Sequence, residues 1–220
     1  MDTPFDLEIT DALLSTTRAV RKRLDLDRPV ERQVLLDCVR ISQQAPTGSN
    51  TQGWRWLMVT EAGPKAALAD MYRRAGGEYL KANAASIGDQ KNQLSRVLDS
   101  ASYLAENLER VPVLVIPCIQ GRLPASAPAG AWAGFMGSIF PAVWSFQLAL
   151  RARGLGSALT TFHLAFESQA AELLGIPADV TQVGLLPVAY TKGTDFRPAD
   201  RPPPEHIVSW ERWGNKEERS

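Results

Sequence analysis

Residues Ala45 through Trp56 (APTGSNTQGWRW) limit the fold most, because they join a helix stop, a small-residue loop and a strand start. Pro46 has no backbone N–H and pushes Ala45 toward extended geometry, so a helix arriving from upstream must end there. Thr47, Gly48 and Ser49 carry little bulk, which lets a flat molecule approach the backbone closely. Asn50 and Gln52 are two apart, so in an extended segment they would face one side. Each amide offers donors and acceptors, as suits a heterocycle edge with alternating N–H and C=O groups. Trp54, Trp56, Met58 and Thr60 then share one strand face, with Arg55, Leu57 and Val59 on the other. An ordinary helix-to-strand loop would use the same residues.

A second segment lies about one helix length upstream. Thr16-Thr17-Arg18-Ala19-Val20-Arg21-Lys22-Arg23 follows a short amphipathic pattern (Ile9, Leu13, Leu14) and concentrates cations. Arginine forks match phosphate oxygens bidentately, and a short extended segment can present alternate side chains to one anion. A solvated basic turn is the plain alternative. Nucleic-acid binding is disfavoured, because the chain holds 24 Lys and Arg against 24 Asp and Glu and shows no basic face.

At 220 residues, 45% hydrophobic and 22% charged, the chain suits one globular domain with a sizeable core. Helical periodicity predicts helices over about 7–16, 30–44, 64–83, 90–109, 131–152 and 166–174. Strands are expected at Trp54–Thr60, Val111–Cys118, Ser157–Phe162 and Val183–Tyr190, the second and fourth apolar enough to be covered on both faces. Pro112 and Pro187 predict irregular pairing near them. The reading is an α+β domain, with helices around a mostly buried mixed sheet. The apolar run Gly134–Leu150 contains Ser138, Pro141, Ser145 and Gln147 and is shorter than a spanning helix needs, so it reads as a buried core helix.

Residues 86–93 and 121–130 break the pattern and are candidate lids or surface loops. From Gly193 onward, Pro198 and Pro202–Pro204 predict an extended arm. That arm carries Phe196, Ile207, Val208, Trp210 and Trp213, more apolar surface than a disordered tail uses. The N-terminus lacks a signal-peptide pattern, and Cys38 and Cys118 read as buried free thiols, so a cytoplasmic protein is expected. No metal-ligand spacing, nucleophile elbow or dinucleotide fingerprint is present. Gly154-Leu155-Gly156 precedes a strand rather than a helix.

Five elements in order resemble the FMN-dependent nitroreductase family, especially its actinobacterial branch. They are TTRAVRKRL, APTGSNTQGW, the Gly154-Leu155-Gly156 turn leading into Thr160-Thr161, Leu174-Gly175-Ile176-Pro177 before an apolar strand, and Arg201-Pro202. The resemblance implies FMN as cofactor and NADPH or NADH as donor. It implies hydride transfer to nitroaromatic, quinone or similar small acceptors, with no metal and no membrane. It implies a nitroreductase-like fold spanning 1–220, with residues 193–214 as an arm wrapping the second subunit of a homodimer with shared sites.

By the same resemblance, Arg18 and Arg21 would hold the FMN phosphate, with Arg201 closing from the arm. Thr17 and Ala19 stand where the family often has Arg and Ser, so Arg18, Lys22 or Arg23 would compensate. Pro46, Thr47 and Gly48 would line the ring edge. Asn50 and Gln52 would bond the ribityl chain or pyrimidine edge. Leu159, Thr160 and Thr161 would present N–H groups to the ring. Other members of the family cleave flavin or remove halogens, and a slow flavin-binding protein is a further alternative.

Overall fold

The computed structural model describes residues 4–87 and 93–216, the side chains of 84–87 excepted. Residues 17–194 form one compact unit. The described residues of 1–16 and 195–220 form another.

In the larger unit the helices are α2 (Arg32–Ser42), α3 (Ala62–Ile87), α4 (Gln93–Asn107), α5 (Ala129–Gly137), α6 (Phe140–Arg151) and α7 (Glu167–Leu174). The strands are β1 (Trp54–Val59), β2 (Val113–Gln120), β3 (Leu155–Ser157), β4 (Val180–Gln182) and β5 (Leu186–Tyr190). The sheet runs β1-β2-β5-β3, with β4 also paired to β2. All four strand pairings are antiparallel. Parallel contact occurs at the isolated bridges Ala19–Ser157 and Gly121–Val180. The expected mixed sheet is therefore antiparallel in its ladders, with parallel pairing only at these bridges among the described residues.

β2 is buried along nearly its whole length, as its continuous apolar run predicts. Leu35 and Cys38 of α2, Trp54 of β1, and Ala142, Val143, Phe146, Ala149 and Leu150 of α6 pack around it in one core. Trp56 joins that core, its ring 4.8 Å from that of Phe146.

Three expectations are corrected. The single helix 131–152 is two helices that meet at Ser138–Ile139. Pro141 cannot donate to the carbonyl four residues back, and it sits in the first turn of α6, where the missing N–H is tolerated. The strand Val183–Tyr190 is split. Between Cys118 and Val115, β2 advances three residues, whereas its partner advances four, from Gln182 to Leu186. That extra residue makes a β-bulge at 183–185. The strand Ser157–Phe162 ends early, with Phe162–Phe166 coiled into a 3-10 turn. Pro187 itself lies in register opposite Leu114, and the bulge at 183–185 is the irregular pairing expected near it.

In the smaller unit, α1 (Leu7–Thr16) starts at Asp6, whose carboxylate accepts the Ile9 N–H at 3.1 Å. None of its residues is buried. The C-terminal segment is irregular, with one 3-10 turn at Pro204–His206.

Candidate active site

The register of the inner sheet builds an amide edge. Leu155 faces Tyr190, Ser157 faces Val188 and Thr160 faces Leu185, so one register runs from 155 to 160. Thr160 donates its N–H to Leu185 O at 2.9 Å and accepts the Leu185 N–H at 2.8 Å. Its hydroxyl also donates to Leu185 O. Backbone groups alternate sides along an antiparallel strand. Leu159 and Thr161 therefore aim their N–H groups away from Leu185, to the side where Ser157 O accepts the Val20 N–H. No backbone or side-chain acceptor takes either N–H among the described residues. Of the three donors expected here, Thr160 is thus corrected: its amide is committed inside the fold. The reason is register: the Thr160–Leu185 pair continues the β3–β5 ladder beyond Ser157.

Two glycines permit this packing. A Cβ on Gly156 would lie 2.8 Å from both Val20 Cβ and Thr191 Cγ2. One on Gly184 would lie 2.6 Å from Leu159 Cδ1 and 3.2 Å from Thr160 O. Larger residues would force apart the segments that carry Val20 and the amide edge.

The basic segment lies along the same strand through the Ala19–Ser157 bridge. Its cations differ in environment. Lys22 pairs with exposed Asp99, and Arg23 Nε donates to Lys192 O at 2.9 Å. Neither is placed to compensate for Thr17 without leaving its partner. Arg21 is half-buried. One guanidinium nitrogen meets Ser100 Oγ at 3.4 Å, and among the described residues its buried Nε has no partner and no carboxylate pairs with it. Burial lowers its pKa, partly offset by the Tyr72 hydroxyl. Tyr72 is itself buried in α3, with its pKa raised first by that burial, and its hydroxyl approaches both Arg21 and the Thr160 hydroxyl. Its ring meets Phe162 edge-on at 5.1 Å. A desolvated guanidinium without a counter-charge is a binding element for an anion. Tyr72 and Ser100 were not legible as site residues, because both sit inside ordinary helical patterns.

The loop after α2 differs from its sequence reading. Ser49, Asn50 and Gln52 take left-handed φ values of 51°, 53° and 50°, so the segment is not extended. The two amides still meet: Gln52 Nε2 donates to Asn50 Oδ1 at 3.1 Å, both exposed. Thr47 Oγ1 accepts the Gln52 N–H at 3.3 Å. Gly48 is held by Ser138, whose Oγ accepts its N–H at 3.0 Å. No hydrogen bond joins this loop to 19–21 or 159–161 among the described residues. Arg201, exposed in the smaller unit, donates to the carbonyl of Asp200.

His163 does not line an open face. It is wholly buried in the 3-10 turn after the amide edge. Burial pulls its pKa down to about 4, although Gln182 and the Glu167 carboxylate favour the charged ring. Arg122 anchors the start of the 121–130 segment. It forks onto Glu167 at 3.0 and 2.8 Å and donates to the carbonyls of Ala178 and Val180. Most of the 86–93 segment lies outside the described residues. Cys38 and Cys118 are buried free thiols, which burial pushes up to about 11 and about 12. Among the described residues no group of His, Cys, Asp and Glu could hold a metal ion.

A search of curated protein sequences returned no match. Among solved structures, an oxidised iodotyrosine deiodinase bound to FMN and 3-iodo-L-tyrosine is 23% identical with a TM-score of 0.68. The match covers 92% of this chain and 99% of that one. The FMN-dependent nitroreductase NfnB from Mycobacterium smegmatis, in complex with NADPH, is 18% identical with a TM-score of 0.68. That match covers 94% of this chain and 100% of that one. A BluB-like flavoprotein from Clostridium difficile 630 is 16% identical with a TM-score of 0.67, covering 94% of this chain and 100% of that one. At these identities the likeness is one of fold. The family model for the Nitroreductase family matches residues 14–190, from the end of α1 through β5, and the chain belongs to that family.

Proposed function

We infer that this chain is an FMN-dependent oxidoreductase, working as a homodimer with shared sites. When bound, FMN supplies the ring that takes hydride from NADPH or NADH and returns it to a nitroaromatic, quinone or similar electron-poor acceptor. The observation that carries this reading is a half-buried Arg21 with no carboxylate partner among the described residues, on the same strand edge as the outward N–H groups of Leu159 and Thr161. A neutral ligand would leave Arg21 without a counter-charge. An anionic, flat, hydrogen-bonding ligand uses all three groups.

Each residue then has a physical task. The Leu159 and Thr161 amides orient the polar edge of the ring and favour negative charge there. Arg21, beside Tyr72 and the same strand, serves the pyrimidine end rather than the phosphate assigned from sequence. Arg18, with Arg201 from the arm, receives the phosphate. Asn50 and Gln52 exchange their mutual bond for bonds to the ribityl chain or ring edge. Thr47 and Pro46 border that edge.

Two copies account for the separation of the loop from the amide edge within one chain, since a partner's loop can complete each site. The arm and α1 carry the apolar surface such an assembly needs: Ile207 is 75% exposed, Trp213 is fully exposed, and Phe5 and Ile9 are each about 70% exposed. Their burial against a second copy would be favourable by the usual area argument.

The test is an anaerobic visible spectrum of purified protein loaded with FMN, before and after NADPH or NADH. Bleaching of bound flavin is expected, followed by reoxidation on adding a nitroaromatic or quinone. Retained flavin that neither donor reduces would favour storage or another donor. No flavin binding would remove the reading. Arg21→Gln should weaken FMN binding and make its midpoint potential more negative. Weaker binding with an unchanged potential would return Arg21 to the phosphate.

A further inference from the structure

We propose that Ser138 is a positioning residue for the flavin loop, clamping both ends of residues 48–54 to the break between α5 and α6. The inference rests on the flavin reading above and adds a residue which that reading does not use.

Three contacts converge on Ser138. Its hydroxyl donates to Gly134 O at 2.7 Å. That commits the proton to α5 and leaves the oxygen's lone pairs for the Gly48 N–H at 3.0 Å. Its carbonyl accepts the Trp54 indole N–H at 2.9 Å, in a buried bond. Gly48 and Trp54 flank the loop that carries Asn50 and Gln52, so one residue touches both ends, joined at the return by the Gly53–Gln120 bond and the β1–β2 ladder. The fit is close, because a Cβ on Gly48 would lie 3.2 Å from Ser138 Oγ.

Between these anchors Gly53 O accepts the Gln120 N–H at 2.8 Å, but residues 49–52 make no long-range hydrogen bond among the described residues. Ser49, Asn50 and Gln52 sit in left-handed conformations that non-glycine residues enter at a cost. Their other bonds are short-range, from Asn50 N–H to Thr47 O and from Thr51 N–H to Gly48 O. Such a backbone persists only where surrounding structure imposes it. Ser138 is 8% exposed and lies where Pro141 stops the helix ladder. It is therefore a rigid post, in contrast to the exposed segment it holds.

The hydroxyl and carbonyl roles separate experimentally. In Ser138→Ala the Gly48 N–H loses its acceptor while the Trp54 bond remains. FMN binding is expected to weaken about tenfold, as for one hydrogen bond left unmade. Amide exchange at Gly48 in the flavin-free protein should speed up at least tenfold, with the Asn50 and Thr51 amides following. Ser138→Thr keeps the hydroxyl and should restore slow exchange and FMN affinity. Trp54→Phe breaks the other bond and should lower thermal stability, with Gly48 exchange changed little.

Wild-type FMN affinity and wild-type Gly48 exchange in Ser138→Ala would overturn the proposal. So would fast Gly48 exchange in the unaltered protein, a result that stands even if the alanine variant fails to fold. An unaltered protein that binds no FMN yet shows a slowly exchanging, Ser138-dependent Gly48 amide would remove the flavin reading and leave the clamp.

Discussion

The 155–161 strand edge and the 46–52 loop solve opposite problems. The edge is rigid: one register runs through it, Gly156 and Gly184 seat it against neighbours, and Thr160 is bonded three ways to Leu185. The loop is exposed, carries three left-handed non-glycine residues, and bonds its functional amides to each other. A site built from both has one wall whose donors are already oriented and one whose donors must exchange partners when a ligand arrives. Binding energy should therefore come chiefly from the strand side, with adaptability from the loop.

The largest expected effect concerns His163, packed behind the rigid edge. Its folded pKa of about 4 lies below an ordinary value near 6.5. Between those values the unfolded chain takes up a proton that the folded chain refuses. Stability is thus full above about pH 6.5 and falls as the pH drops toward 4, by up to about 3 kcal/mol. Urea unfolding midpoints at pH 7, 6 and 5 check this. His163→Gln should flatten the slope between pH 6.5 and 5; an unchanged slope would assign it to other groups.

Next is Gly156→Ala. A methyl group 2.8 Å from two β-branched side chains should cost about 2 kcal/mol, seen as a Tm lower by roughly 4–8 °C. A Tm within a degree of the parent would mean that the edge yields as easily as the loop, and the comparison would fail.

A smaller effect, of opposite sign, is expected from Arg21→Gln in the flavin-free protein. Removing a half-buried charge with no counter-charge among the described residues should leave stability unchanged or raise it by about 1 kcal/mol, while FMN binding weakens. Loss of both together would make Arg21 a structural residue.

The smallest effect belongs to the loop. Ser49→Gly relieves a positive φ and should stabilise by about 0.5–1 kcal/mol, with FMN affinity slightly lower because the free loop becomes looser. A loss of stability would show that Ser49 is not left-handed in solution.

Much of the fold was legible from local pattern. Helices α1, α2 and α7 fall within a few residues of their periodic signals, and the apolar runs around Val113 and Val188 lie in buried strands, because side-chain period and burial are properties of short segments. Charge clustering marked the segment 16–23, and the family resemblance singled out Arg21 within it. The break at Ser138 was only half legible: Pro141 was visible, but a proline in a helix's first turn is also ordinary. The left-handed loop was not legible, since neither Ser49 nor Gln52 favours positive φ. The direction of the Thr160 amide was not legible either, because it depends on register with Leu185, twenty-five residues away.

The sequence by itself determined the family and most of the element types, since both are matters of local composition and order. Tertiary structure decided which of the candidate site residues point outward. Register and close packing assign each amide to the core or to a ligand, and these arise only when distant segments meet. That is why Thr160 is committed to Leu185 while Leu159 and Thr161 are not, and why Lys22 meets a carboxylate while half-buried Arg21 meets none among the described residues.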